Sequence, residues 1–67
     1  MLGPQLVYYA ADRAGQTAVI ETATGRIAAW IVRDGEDLRA QRGGWRSRPV
    51  ETVPQAIREV GARESAL

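Results

Sequence analysis

The chain has 67 residues, of which 45% are hydrophobic and 25% charged, with a formal net charge of +1. A chain of this length forms a single domain (1–67) and buries only about 60% of the surface its unfolded state exposes, which excludes a large enzyme with a deep cleft. Cysteine and histidine are both absent, so disulfides and the usual zinc, haem and iron–sulfur ligands are excluded too. Oligomerisation is the remaining way to support so thin a core.

Turn signals recur along the first two thirds of the chain, at 13–16, 23–26, 34–36 and 43–44. Spacings of about ten residues are typical of successive antiparallel hairpins rather than of strands alternating with helices. The first three segments between the turns are rich in residues that strands prefer. We therefore predict a β-meander with strands at about 6–12, 17–22, 27–33 and 38–42. A fifth, short strand at 45–50 is the alternative to four strands, and Pro49 would confine it to a sheet edge.

A single helix is predicted for the C-terminal segment, over about 53–64. Residues 52–55, Thr-Val-Pro-Gln, have the spacing of a capping box, with proline in the first turn where no N–H donor is needed. Val53, Ile57 and Val60 recur at helical spacing and form one apolar stripe. The expected fold class is α+β, a four- to five-stranded antiparallel meander with this helix packed on one face.

Both faces of the predicted sheet are apolar, because the first and third strands are apolar at nearly every position. One helix of about three turns covers only one face. Either the sheet curls into a small barrel or sandwich, or the second face contacts another chain. Tyr9, Trp30 and Val32 mark this second face, which we expect to mediate self-association as a homodimer. A different protein partner is the alternative, the chain then being an adaptor or inhibitor.

Arginine is concentrated in the segment 38–48, which contains no acidic residue. Its arginines are Arg39, Arg42, Arg46 and Arg48. On a two-stranded ribbon the guanidinium groups can contact phosphates while Trp45 stacks on a base. The first functional hypothesis is a non-catalytic accessory or regulatory module that contacts DNA or RNA through this ribbon. A solvated edge strand and a docking surface for an acidic protein are the alternative explanations.

No catalytic constellation is recognisable in the sequence. Without histidine or cysteine, a nucleophile and base would need a hydroxyl paired with another group, and no spacing sets up such a pair. We expect no enzymatic activity, no cofactor and no metal. The longest apolar runs, 6–11 and 27–32, are far shorter than the roughly 20 residues of a membrane helix, and the first residues lack the basic region of a signal peptide. The expected location is the cytoplasm, without a membrane partner.

Overall fold

The computed structural model describes residues 7–66 as a five-stranded antiparallel sheet followed by one helix. The strands are β1 (Tyr8–Arg13), β2 (Gln16–Glu21), β3 (Ile27–Asp34), β4 (Asp37–Arg42) and β5 (Trp45–Arg46), and the helix is α1 (Val53–Ala66). Neighbouring strands in the chain are neighbours in the sheet, so the predicted α+β meander is confirmed. Residue 6, the predicted start of the first strand, lies outside the described residues.

The sheet is open, and the barrel that the sequence left possible does not form. β1 and β5 are its two edges, and β5 has only two residues, too few to pair along β1. After β5 the chain stays beside β4, since Ser47 N–H donates to the Ala40 carbonyl and Val50 exchanges two hydrogen bonds with Leu38. Pro49 lies within this irregular stretch, which explains why the strand predicted over 45–50 ends early.

The register of the first hairpin is set by a two-residue turn. Ala14 and Gly15 have φ values of 53° and 79°, the positive values of a type I′ turn, whose twist matches that of the flanking strands. Arg13 therefore pairs with Gln16, and the pairing continues along β1 and β2. Because side chains alternate between faces, this register decides which residues of β1 lie under the helix.

A β-bulge interrupts the pairing of β2 with β3. Val19 pairs with Ala29 but Ile20 pairs with Ile27, so Ala28 is the extra residue of β3. A bulge increases the local right-handed twist of a sheet. It also lets two consecutive alanines, Ala28 and Ala29, both be buried.

The helix begins with the predicted capping box. Gln55 N–H donates to Thr52 Oγ1 at 3.3 Å, while Gln55 Oε1 accepts from Thr52 N–H at 3.1 Å. The helix buries Ala56 and Val60 against the sheet, and the partly buried Val53 and Ile57 pack beside them. The buried core is Val19, Ala28, Ala29, Ile31, Ala40, Val50, Ala56 and Val60. It is built mainly from small side chains, which allows the helix to lie close to the sheet.

Candidate interaction face

The strand register divides the sheet into a helix face and an open face. Val19, Ile31 and Ala40 are on the helix face and pack in the core with α1. We call the other side the open face, because no helix or strand of residues 7–66 lies over it. Its apolar residues are Val7, Tyr9, Ala11, Ala18, Ile20, Ile27, Trp30 and Val32. The predicted trio of Tyr9, Trp30 and Val32 is thus brought onto one face.

Exposed apolar surface is concentrated at the β1 edge of the open face. Val7 is 57% exposed and Tyr9 is 43% exposed, and they are the exposed large hydrophobic residues of the described chain. Ala18 and Ile20 lie on the same face but are 0% and 2% exposed. Ala18 is paired with Trp30 and Ile20 with Tyr9, so each has a larger neighbour on the same face. The apolar contact surface is therefore aromatic and lies towards β1.

The β4–β5 side of the open face is polar, and its charges balance. Arg39 and Arg46 lie there beside Gln41, and the mutually paired Asp34 and Asp37 lie on the same face. The Arg39 guanidinium bonds Asp34 Oδ2 at 2.6 Å and donates to the Ser47 carbonyl at 2.9 Å. Arg46 is exposed and makes no ion pair or side-chain hydrogen bond within residues 7–66. The open face therefore combines an apolar side with a polar side of balanced charge.

The predicted arginine ribbon does not form one surface. Arg42 is on the helix face, where its guanidinium donates to the Ile27 carbonyl. Arg48 follows the end of β5 and bonds Glu59 of the helix, with 3.2 Å between Nε and Oε2. β5 ends at Arg46, so Arg48 does not lie on a strand of the sheet.

Trp45 is also held within the fold rather than projecting for stacking. It is half-buried and packs against the core, and the Arg63 guanidinium carbon lies 5.0 Å from the centre of its ring. A cation over an aromatic face at this distance is an attractive cation–π contact. Of the five residues predicted to contact nucleic acid, Arg39 and Arg46 alone share the open face.

A polar cluster that the sequence did not indicate joins the sheet to the helix. Glu21, 8% exposed, accepts hydrogen bonds from Thr24 Oγ1 at 2.9 Å and from Arg26 at 3.3 Å. The same Arg26 nitrogen lies 3.4 Å from Glu64 Oε1 on the helix. The hydrogen bond with Glu21 raises the pKa of the Arg26 guanidinium. Arg26 thereby links the β2–β3 loop to α1 with one side chain.

The hydroxyl of Tyr8 is buried beside this cluster without a hydrogen-bond partner among residues 7–66. Burial raises the pKa of Tyr8 above its usual 10.0, and the charges of Glu64 and Glu21 raise it further. An unpaired buried hydroxyl destabilises the folded state. The hydroxyl of Tyr8 is thus a weak point in the packing of β1 against the helix.

We predict that Tyr8→Phe stabilises the fold by about 1 kcal/mol, since it removes the unpaired hydroxyl but keeps the ring. The change should also flatten the alkaline limb of the stability profile. Because the pKa of Tyr8 is raised above its unfolded value of 10.0, the neutral hydroxyl is favoured in the folded state. This contribution to stability is fully present below pH 10 and is lost as the pH rises through the folded-state pKa. Urea unfolding at pH 8 and above pH 10 measures both effects. Tyr9→Phe is the control, and equal behaviour of the two variants would contradict the assignment.

No metal-binding group is found within residues 7–66, where no three acidic side chains converge. A surface cleft of about 330 Å³ lies between the end of the sheet and the start of the helix. Its charged lining residues are Arg48, Glu51, Arg58 and Glu59, and their charges balance. This lining holds no pairing of a nucleophile with a base and has no excess charge to attract an ion.

Within the described chain, α1 is neither long nor apolar enough to cross a membrane. Comparison with known protein families, with curated proteins and with solved structures finds no match.

Proposed function

We propose that the chain is a small, non-catalytic, cytoplasmic binding module whose contact surface is the open face around Tyr9, Trp30 and Val32. Its first partner is a second copy of the same chain. One observation carries this proposal: the exposed large hydrophobic residues, Val7 and Tyr9, lie side by side on the face that the helix leaves open. Clustered exposed apolar side chains mark interaction sites, whereas scattered ones do not.

The size of the domain supports self-association. A domain of 67 residues without disulfides, and with a core of mostly small side chains, gains little stability from its own burial.

We predict that the wild-type chain has a mass near twice 7.3 kDa by light scattering, and that Tyr9→Asp shifts it to 7.3 kDa. An aspartate at this position would place a charge in the contact, at a cost of several kcal/mol if it stays unpaired. Ala62→Asp is the matched control, because Ala62 is exposed on α1. A wild-type chain that remains monomeric at high concentration would sink the proposal.

A second candidate function is contact with single-stranded nucleic acid by the polar side of the same face. The observation that favours it is the exposed guanidinium of Arg46, which has no ion pair within residues 7–66 and shares a sheet surface with Trp30, two strands away. A partly exposed tryptophan can stack on any base, and flanking guanidinium groups can contact phosphates. Arg42, Arg48 and Trp45 have no part in this version, because they lie away from the open face.

We predict that a labelled oligothymidylate binds at low ionic strength, and that affinity falls steeply as salt is added. Trp30→Ala should weaken binding about tenfold or more through lost stacking, and Arg46→Ala should reduce the salt dependence. Arg48→Ala is the control, because that guanidinium already bonds Glu59. Absence of binding at low salt would eliminate this candidate, and so would an equal loss of affinity in Arg46→Ala and Arg48→Ala. Protein contact through the open face would then remain.

A further inference from the structure

The free edge of β1 offers three residues whose backbone groups point away from the sheet. In the type I′ hairpin Arg13 and Gln16 form a hydrogen-bonded pair, and such pairs recur at every second residue. The bond from Thr22 N–H to the Val7 carbonyl, 2.9 Å long, shows that this alternation continues to the start of the strand. The outward N–H and C=O groups are therefore those of Tyr8, Ala10 and Asp12.

Within residues 7–66, these outward N–H and C=O groups make almost no hydrogen bonds. The exception is the carbonyl of Asp12, which accepts a bond of 3.0 Å from the exposed guanidinium of Arg13. β1 contains no proline or bulge, and its charged residues, Asp12 and Arg13, lie together at its C-terminal end. The opposite edge differs, because β5 has only two residues and is followed by Pro49. Of the two edges of the described sheet, only β1 is long enough to accept a strand.

We infer that a second copy of the chain pairs on this edge, β1 against β1 in antiparallel register centred on Ala10. This inference rests on the proposed self-association and places the contact at the Tyr9 edge of the open face, so that Trp30 and Val32, on β3, lie away from the junction. Tyr8, Ala10 and Asp12 of one copy would pair with Asp12, Ala10 and Tyr8 of the other. Three hydrogen-bonded pairs exchange roughly six backbone bonds.

The side chains of β1 are self-complementary in this register. On the open face Tyr9 of each copy lies opposite Ala11 of the other, a large side chain against a small one. Asp12 lies opposite Tyr8 and not opposite an acid. The two Arg13 side chains are about 20 Å apart, because six residues of strand separate their positions, and this exceeds the screening length at physiological salt. No like charges are opposed across the junction.

The pairing also explains why exposed apolar surface is concentrated at β1. A two-fold axis perpendicular to the sheet keeps both open faces on the same side. Val7, Tyr9 and Ala11 of the two copies then form one apolar strip along the junction, and each Tyr9 covers part of the other copy. The result is a continuous ten-stranded sheet, twice the five strands of one copy.

The absence of cysteine from the chain allows a direct test by single-cysteine variants. In the inferred register the two Ala10 Cα atoms are about 5.5 Å apart, within the range that a disulfide bridges. We expect Ala10→Cys to form a covalent dimer under mild oxidation in more than half of the chains. Gln41→Cys, on the open face but far from β1, should give none.

A second variant tests the backbone bonds. Ala10→Pro removes one outward N–H but no bond between β1 and β2, so it should weaken dimerisation at least tenfold while circular dichroism stays native. A dimeric wild type in which Gln41→Cys cross-links and Ala10→Cys does not would overturn edge pairing but leave self-association standing. A dimeric wild type whose dimer affinity is unchanged by Ala10→Pro would also overturn edge pairing and leave self-association standing. A monomeric wild type would overturn the proposed function as well.

Discussion

Replacing Val60 with aspartate is expected to leave the chain unfolded at room temperature. Val60 is 1% exposed and packs with Val19 between the helix and the sheet. A buried carboxylate without a partner costs several kcal/mol. A domain of this length has a total stability of only about 3–10 kcal/mol. One substitution therefore removes most or all of the folding free energy.

Loss of dispersed amide signals in an NMR spectrum and loss of strand and helix signals in circular dichroism would record the unfolding. Ala62→Asp is the matched control, since it adds the same charge to the same helix at an exposed position. The free energy of unfolding of that variant should lie within about 0.5 kcal/mol of the wild-type value. A folded Val60→Asp protein would show that the helix does not pack on the sheet as described.

The fold was predictable because its signals are local. Turn residues about ten positions apart predicted the hairpins, and the period-two alternation placed Tyr9, Trp30 and Val32 on one face. The capping box gave the start of the helix, whereas Ala56 was missed, because an alanine adds little to an apolar stripe. The one topological alternative, a closed barrel, depended on the length of the last strand, which local signals do not fix.

The sequence could not show which arginines are free to bind a partner, because the groups that pair with their side chains lie far apart along the chain. Arg48 bonds Glu59, eleven residues later, and Arg26 bonds Glu64, thirty-eight residues later. Neither pair has a spacing that a single strand or helix would produce. A cluster of like residues in sequence therefore overstates the charge available at a surface, since each tertiary ion pair removes one guanidinium from it.

Alanine substitutions on the two faces of the sheet are expected to lower the free energy of unfolding by different amounts. We expect Ile31→Ala to destabilise the fold by about 3 kcal/mol and Ile20→Ala by clearly less, about 1–2 kcal/mol. Exposure alone predicts the opposite order, because Ile31 is 7% exposed and Ile20 only 2%. Ile31 lies under the helix, where neighbours cannot close the cavity that alanine leaves. Ile20 lies on the open face, where Tyr9 is its paired neighbour.

On the open face these neighbours can lean into the gap, or water can fill it, so the cavity penalty is largely avoided. Urea unfolding of both variants, with unchanged slopes, gives the two free energies directly. If Ile20→Ala lowers the free energy of unfolding as much as Ile31→Ala does, then a group that covers the open face holds Tyr9 and its neighbours in place. If that cost also rose with protein concentration, a second copy would lie across the face and not beside it, in contradiction to pairing along β1.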